Sequence, residues 1–273
     1  MRKKYLDPLR SSPGGAKDRS LSESRSSLAR ALSILESFSE DRPEQTLGAI
    51  VSATNIPPAT VHRYLAELVK WGGGLDRTGR GTYTVGTRLW QLGALAPKER
   101  QLRDVALPVL EDLFETTHEV VHLVVLDGTR ALYVEKLAPR SRTGTTVSSQ
   151  VGYRLPLHAT GPGKVLLAFG TPALRETVLS EELPKMASET ITDPDVLRRA
   201  LADIRTTGFV ISRNEMTEGN ASAAAPVFGR DTAIVAAISV VVPAAHPNLA
   251  GLAQGVRVAA AVISRNLRQD GRR

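Results

Sequence analysis

The residue string with the sharpest chemical implication is His118-Glu119-Val120-Val121-His122, which fits H-E-x-x-H. On a helix, imidazoles at i and i+4 share a face and can bind one zinc, with the glutamate as base. Here the neighbours are β-branched and run into Asp127-Gly128, so the segment is expected to be a strand, which would hold the two histidines roughly 13 Å apart, too far for one ion. No third ligand follows at a familiar spacing, and no metal site is expected. A second string, His158-Ala159-Thr160-Gly161-Pro162-Gly163-Lys164, sets glycines ahead of a helix and could expose N–H groups to an anion. Val165 follows Lys164, so the Ser or Thr that a phosphate loop uses for magnesium is missing and nucleotide hydrolysis is not expected. Either a small carboxylate binds at this helix start or the glycines only make a turn. No nucleophile-elbow pattern raises a Ser-His-Asp triad, so no catalytic residue is assigned and no cofactor is expected.

The third constellation is Thr60, His62, Arg63, Arg77 and Arg80. Its chemistry is contact with a polyanion: a helix face placed at base edges, with further arginines near phosphate. The elements needed to hold it are legible. Leu28, Ala31, Leu32, Leu35 and Phe38 recur at helical spacing with Ser26 or Ser27 as cap, predicting a first helix. After a polar stretch, Thr46 can cap a short second helix over Leu47, Ile50 and Val51. The turn Thr54-Asn55-Ile56-Pro57 ends it, and Pro58 suits the first turn of a third helix ending near Gly72. Val61, Leu65 and Leu68 form the inner stripe of that helix; Arg63 lies opposite, beside Ala59 and Lys70. Two helices around a short turn match the helix-turn-helix unit, and Leu75 to Val85 reads as a hairpin wing with arginines at its tip.

Beyond the wing, Leu89 to His118 has helical spacing divided by Pro97 and Pro108, so a connecting helix, a break and a new opening helix are expected. Extended runs follow at Val120–Leu126, Ala131–Leu137 and Thr145–Val151. Helices are then expected at Gly163–Phe169, Pro172–Leu179 and Pro194–Thr206. Further strands are expected at Phe209–Arg213, Ala221–Phe228 and Ala233–Val242, before a last helix from Leu249 to Leu267. This interleaving indicates an α+β domain with a largely antiparallel sheet. The expected organisation is a flexible basic tail over 1–24, a winged helix-turn-helix domain over 25–88, a linker helix over 89–101 and a second domain over 102–273.

Charge is distributed in keeping with that division. Residues 1–100 hold 16 Lys+Arg against 10 Asp+Glu, and residues 101–273 hold 19 against 18, so nearly all of the net +7 lies in the first third. A basic front segment suits a polyanion, or a tail that only solubilises. Hydrophobic content of 42% and charged content of 23% exclude wholesale disorder, and 273 residues suit two domains. The absence of cysteine excludes disulfides, thiolate zinc sites and thiol nucleophiles. The longest apolar run, Ala233 to Val242, is shorter than the ~20 residues of a spanning helix, and no apolar signal core follows the basic start, so a cytoplasmic protein without membrane partners is expected.

With these residues in view, the sequence from about Ser26 onward resembles the IclR-type transcriptional regulators. The carrying stretches are IPPATVHRYLAEL at 56–68, GTYTVGTRLWQLG at 81–93, GYRLPLHATGPGKVLLA at 152–168, GFVISRNEMTEGNASAAAPVF at 208–228 and VAAISVVVP at 235–243. The resemblance implies a winged helix-turn-helix joined through a linker helix to a GAF-like effector domain. It implies a DNA-binding regulator, expected to repress catabolic or metabolic genes, whose small-molecule effector is an organic or aromatic acid. The partners would be double-stranded DNA with a palindromic operator and further copies of the chain, as homodimer or homotetramer. Thr46, Ala59, Thr60, His62, Arg63, Arg77 and Arg80 are the expected DNA-binding residues, and Leu123, Thr160, Gly161, Glu215, Ala224 and Ser239 the expected effector-binding residues. Pro58 and Ala59 stand where members often carry polar or basic residues, and Gly72-Gly73-Gly74 is richer in glycine than the usual helix exit. Ala223 to Ala225 would give the effector pocket a small apolar wall. The competing class is a metabolite-binding module or enzyme with a basic N-terminal interaction domain.

Overall fold

The computed structural model describes residues 26–39, 42–93, 95, 97–139 and 149–270; the expected basic tail falls outside them. The chain divides into two compact units that meet in sequence between Arg100 and Gln101. The first begins with helix α1 (Ser27–Leu35), where the Ser26 hydroxyl accepts from the Ala29 amide at 3.2 Å. Strand β1 (Glu44–Thr46) leads into α2 (Leu47–Thr54), capped by the Thr46 hydroxyl, which accepts from the Ala49 amide. Asn55 ends α2 in the left-handed conformation, and α3 (Pro58–Lys70) follows with its proline in the first turn. Strands β2 (Leu75–Arg77) and β3 (Thr82–Val85) form the wing, before α4 (Thr87–Gly93). The three strands pair antiparallel in the order β1-β3-β2.

Ile34, Ile50, Ile56, Val61, Tyr64, Leu65, Leu75 and Tyr83 form the core of this unit. Each fully buried aliphatic side chain contributes about 1.5–3 kcal/mol of transfer free energy. Several expectations shift by a residue or more. Leu28 is 68% and Leu32 48% exposed, and Ile34 takes the core position on α1. Strand β1 lies in the stretch read as polar loop, because three residues with only Gln45 buried carry no apolar alternation. Tyr64 joins Val61 and Leu65 on the inner face of α3.

The second unit is built on helix α5 (Pro97–Thr117), which runs through Pro108 without ending there. The proline removes one backbone hydrogen bond, but Leu102, Ala106, Leu110 and Leu113 anchor the helix on the core, and that packing outweighs the loss. Residues 89–101, expected as one linker helix, thus divide between α4 and the first turns of α5. Strands β4 (Val120–Asp127), β5 (Arg130–Leu137) and β6 (Arg154–Pro156) precede three helices, α6 (Gly161–Phe169), α7 (Pro172–Ser180) and α8 (Pro194–Thr207). Strands β7 (Val210–Arg213), β8 (Asn220–Phe228) and β9 (Ile234–Pro243) and helix α9 (Leu249–Asp270) complete it. The strand expected over Thr145–Val151 falls partly outside the described residues; Ser149 to Val151 are not in a strand.

All six strands pair antiparallel in the order β6-β5-β4-β9-β8-β7. The period-two alternation of each strand gives the sheet two different faces. One face, carrying Val121, Leu123, Val125, Ala223, Ala225, Ile238 and Val240, packs against α5 and α9. The other carries Val124, Ala131, Tyr133, Ala224 and Ala237 beneath α6. Near one end of that second face the alternation brings up His122, Ser212, Ser222 and Ser239 instead of aliphatics.

Candidate nucleic-acid interface and ligand cavity

On α3, Ala59, His62 and Arg63 are exposed and Thr60 is half-exposed, on the side away from Val61 and Leu65. The Arg63 guanidinium lies 5.2 Å from the ring centre of its neighbour Tyr64 and remains at the surface. Arg77 and Arg80 are both exposed on the wing. The wing's base is fixed by Glu44, whose carboxylate accepts from Thr78 at 3.3 Å and from Thr82. Thr46 is exposed, and its oxygen already accepts from Ala49, which leaves the hydroxyl hydrogen to donate outward. All seven residues expected at DNA therefore present outward in this unit, on α3, on the wing or at the start of α2.

In the second unit, a cavity opens between the polar end of the sheet face and the start of α6. Thr160, Gly161, Glu215 and Ser239, four of the expected effector residues, line it together with His122, Tyr133, Ser149, Ser212 and Ser222. Leu123 does not: it sits in the core between the sheet and α5 and α9, because strand alternation turns it away from His122. Ala224 lies on the α6 side but is packed under that helix, outside the lining. Ala223 and Ala225, expected with it as a pocket wall, face the α5 and α9 core.

The start of α6 is shaped by close approach. Thr160 caps it, accepting from the Gly163 amide at 3.1 Å and donating to the Pro156 carbonyl at 3.2 Å. A Cβ on Gly161 would come 2.4 Å from the Ser222 hydroxyl, so only glycine lets α6 rest this closely on β8. Lys164 does not reach outward as a phosphate-loop lysine would; it pairs with the Glu215 carboxylate in the interior, both side chains less than a tenth exposed. Burial pulls the Lys164 ammonium below its usual range, opposed by the neighbouring carboxylate. Ser212 donates to the paired Glu215 oxygen at 2.8 Å, while the second oxygen, Oε2, is buried with no partner.

At the opposite end stands His122, whose Nε2 lies 2.7 Å from the Ser149 hydroxyl and whose Nδ1 lies 3.5 Å from that of Ser239. Its ring meets Tyr133 edge-on, with centroids 5.0 Å apart. Burial, with Lys136 nearby, pushes the imidazole pKa down to about 3, so His122 is neutral near pH 7. Burial raises the Tyr133 hydroxyl, against a hydrogen bond with Thr160. His118 stands at the end of α5 with a left-handed backbone, so the H-E-x-x-H pair does not share a helix face. Among the described residues, no cluster of three or more His, Asp or Glu could hold a metal ion. His122, Ser149, Tyr133, Ser212 and Ser222 were missed as cavity residues. The positions of Ser212, Ser222 and Ser239 on successive neighbouring strands, each breaking an aliphatic run, were the available signal.

Comparison with known proteins follows the same two-part division. Residues 27–72 match the IclR helix-turn-helix domain, and residues 95–265 match the bacterial transcriptional regulator IclR C-terminal domain. The transcriptional regulator KipR of Bacillus subtilis is 30% identical over 78% of this chain and 84% of its own length. The Pca regulon regulatory protein of Pseudomonas putida is 31% identical over 78% of this chain and 73% of its own length. A crystal structure of an IclR homologue from Microbacterium hydrocarbonoxydans, complexed with 4-hydroxybenzoate, matches with a TM-score of 0.83. It is 34% identical, over 89% of this chain and all of that one. An outward-facing basic helix and wing in one unit, a polar cavity in the other and these matches across both lead to one conclusion: the chain belongs to the IclR family of transcriptional regulators, with a DNA-binding helix-turn-helix domain and a C-terminal effector domain.

Proposed function

We propose that the effector is a small aromatic or related organic acid carrying a hydroxyl group, held in the cavity under α6. The observation carrying this reading is a cavity whose lining brings together a helix start, several hydroxyls and a carboxylate with one unpartnered oxygen. The α6 start, Ser222 and Ser239 offer donors, and helix N-termini and hydroxyls suit a carboxylate. The unpartnered Glu215 oxygen is an acceptor suited to a hydroxyl. The 4-hydroxybenzoate complex of the Microbacterium hydrocarbonoxydans homologue supports an effector of this class.

On the DNA side, the proposal assigns Thr60, His62 and Arg63, with Ala59, to the major groove, and Thr46, Arg77 and Arg80 to the flanking backbone. The protein acts by binding and not by catalysis, as a cytoplasmic repressor, in homodimers or homotetramers that match a palindromic operator. Effector binding changes operator affinity by the difference in its affinity for two conformations, typically 5- to 150-fold. The test is a thermal-shift series with 4-hydroxybenzoate, benzoate and 4-methoxybenzoate, followed by operator binding with and without the best ligand. Stabilisation by 4-hydroxybenzoate, lost in Ser239→Ala and Glu215→Gln, is the expected result. No shift with any acid, or a shift equal in both variants, would remove the cavity assignment.

A further inference from the structure

The exit of α3 and the entry of α4 meet in a joint. Trp71 closes α3, its amide donating to the Glu67 carbonyl at 2.8 Å. Arg88, in the first turn of α4, lays its guanidinium over the Trp71 ring at 4.5 Å and donates through Nη1 to the Trp71 carbonyl. Both side chains are exposed, so the stack is not a product of core packing. The backbones beneath it are equally close. The Arg88 amide donates to the Gly73 carbonyl at 2.9 Å and the Gly86 amide to the Gly74 carbonyl at 3.2 Å. A Cβ on Gly86 would come 2.2 Å from the Gly73 oxygen, so the contact tolerates no side chain there. Gly73, at φ +87°, makes the turn that permits it.

We propose that Arg88 is a positioning residue for operator recognition. Stacked and hydrogen-bonded to Trp71, it fixes the direction in which α3 leaves the joint, and so the angle at which Thr60, His62 and Arg63 meet base edges. A planar guanidinium lies flat on the ring while an edge N–H donates to the carbonyl, and an ammonium has no plane to stack. In sequence, α4 is the last helix of the DNA-binding unit before the effector domain, so the joint ties α3 to the segment that links the two. Three glycines in succession would otherwise leave the α3 exit free to swing.

The pairing makes its own test. Fluorescence anisotropy on the full-length protein would compare an operator selected by the protein from random duplexes with a scrambled duplex of the same composition. Arg88→Ala and Trp71→Leu are each expected to weaken operator binding about tenfold while changing scrambled binding less than twofold. The double variant should be no weaker than either single, and the slope of affinity against salt should be unchanged. Arg88→Lys, which keeps the charge and loses the plane, should fall with Arg88→Ala; Trp71→Phe, which keeps a ring, should retain most affinity. These milder variants keep the question open to test should Trp71→Leu not fold. If Arg88→Ala weakens both duplexes alike and lowers the salt slope by about one, Arg88 contacts phosphate directly and the positioning role is wrong. Additive losses, or none, would overturn it as well.

Discussion

The proposed recognition face and the proposed effector cavity use polar side chains in opposite ways. On α3 and the wing, His62, Arg63, Arg77 and Arg80 stand exposed, where each keeps its hydration and costs the fold almost nothing. At the cavity, Glu215, His122 and Ser239, with Lys164 packed behind Glu215, are at least nine-tenths buried, and all but the second Glu215 oxygen have a partner. On the proposed assignment, the two binding tasks are separated energetically. The side chains proposed to meet DNA can change without cost to stability, whereas those proposed to meet the effector are part of the structure that holds the domain together.

The sharpest break in that comparison is removal of Lys164. Lys164→Ala leaves the Glu215 carboxylate charged and buried with only Ser212 for support, and should cost about 3–5 kcal/mol in urea unfolding. Replacing both partners, as Lys164→Met with Glu215→Leu, should restore most of it. A loss below about 1 kcal/mol for Lys164→Ala would mean that water reaches the pair and the cavity is not an interior site.

The histidine at the other end predicts a dependence on acid. His122 is held to a pKa of about 3 against 6.5 in the open chain. Between these values the unfolded chain binds a proton that the folded one refuses. Stability contributed by neutral His122 is therefore complete above pH 6.5 and falls as pH drops, by about 1.4 kcal/mol per unit, until about pH 3. His122→Gln should flatten that part of the profile; equal slopes in both proteins would mean that the imidazole is solvated.

A smaller effect tests the close approach of α6 to β8. Gly161→Ala should destabilise by about 1–3 kcal/mol through overpacking, and much less in a Ser222→Ala background, where the clashing hydroxyl is gone. Calorimetric midpoints of the two singles and the double check this, and an undiminished penalty in the double would place the clash elsewhere.

These effects also mark what the sequence could and could not disclose. The α3 stripe, the caps at Ser26 and Thr46 and the Asp127-Gly128 turn are local signals, and each element they announce is present. The six strands of the sheet were mostly visible as β-branched runs, but its faces were not. Leu123 and His122 look equally suited to a pocket until pairing with β9 sets His122 opposite Ser239 and sends Leu123 to the α5 side. The Lys164–Glu215 pair joins residues 51 positions apart, beyond any spacing rule. Leu28 and Leu32 misled because helical periodicity tells which residues share a face, and not whether anything within the same unit covers it.

The last prediction reverses the pattern of the others. Arg63→Ala removes an exposed side chain that rests beside the Tyr64 ring, so unfolding free energy should move by less than about 0.5 kcal/mol. Operator binding should nevertheless weaken by about 1–3 kcal/mol, roughly 5- to 150-fold, with relaxed preference at the contacted base pair if the guanidinium reads a base. If it meets only phosphate, every sequence should weaken alike and the salt slope should drop by about one. A folded Arg63→Ala variant with unchanged operator affinity would move recognition off this face of α3. A variant that loses stability as the cavity substitutions do would show Arg63 serving the fold, and the separation between the two regions would fail at its DNA-facing end.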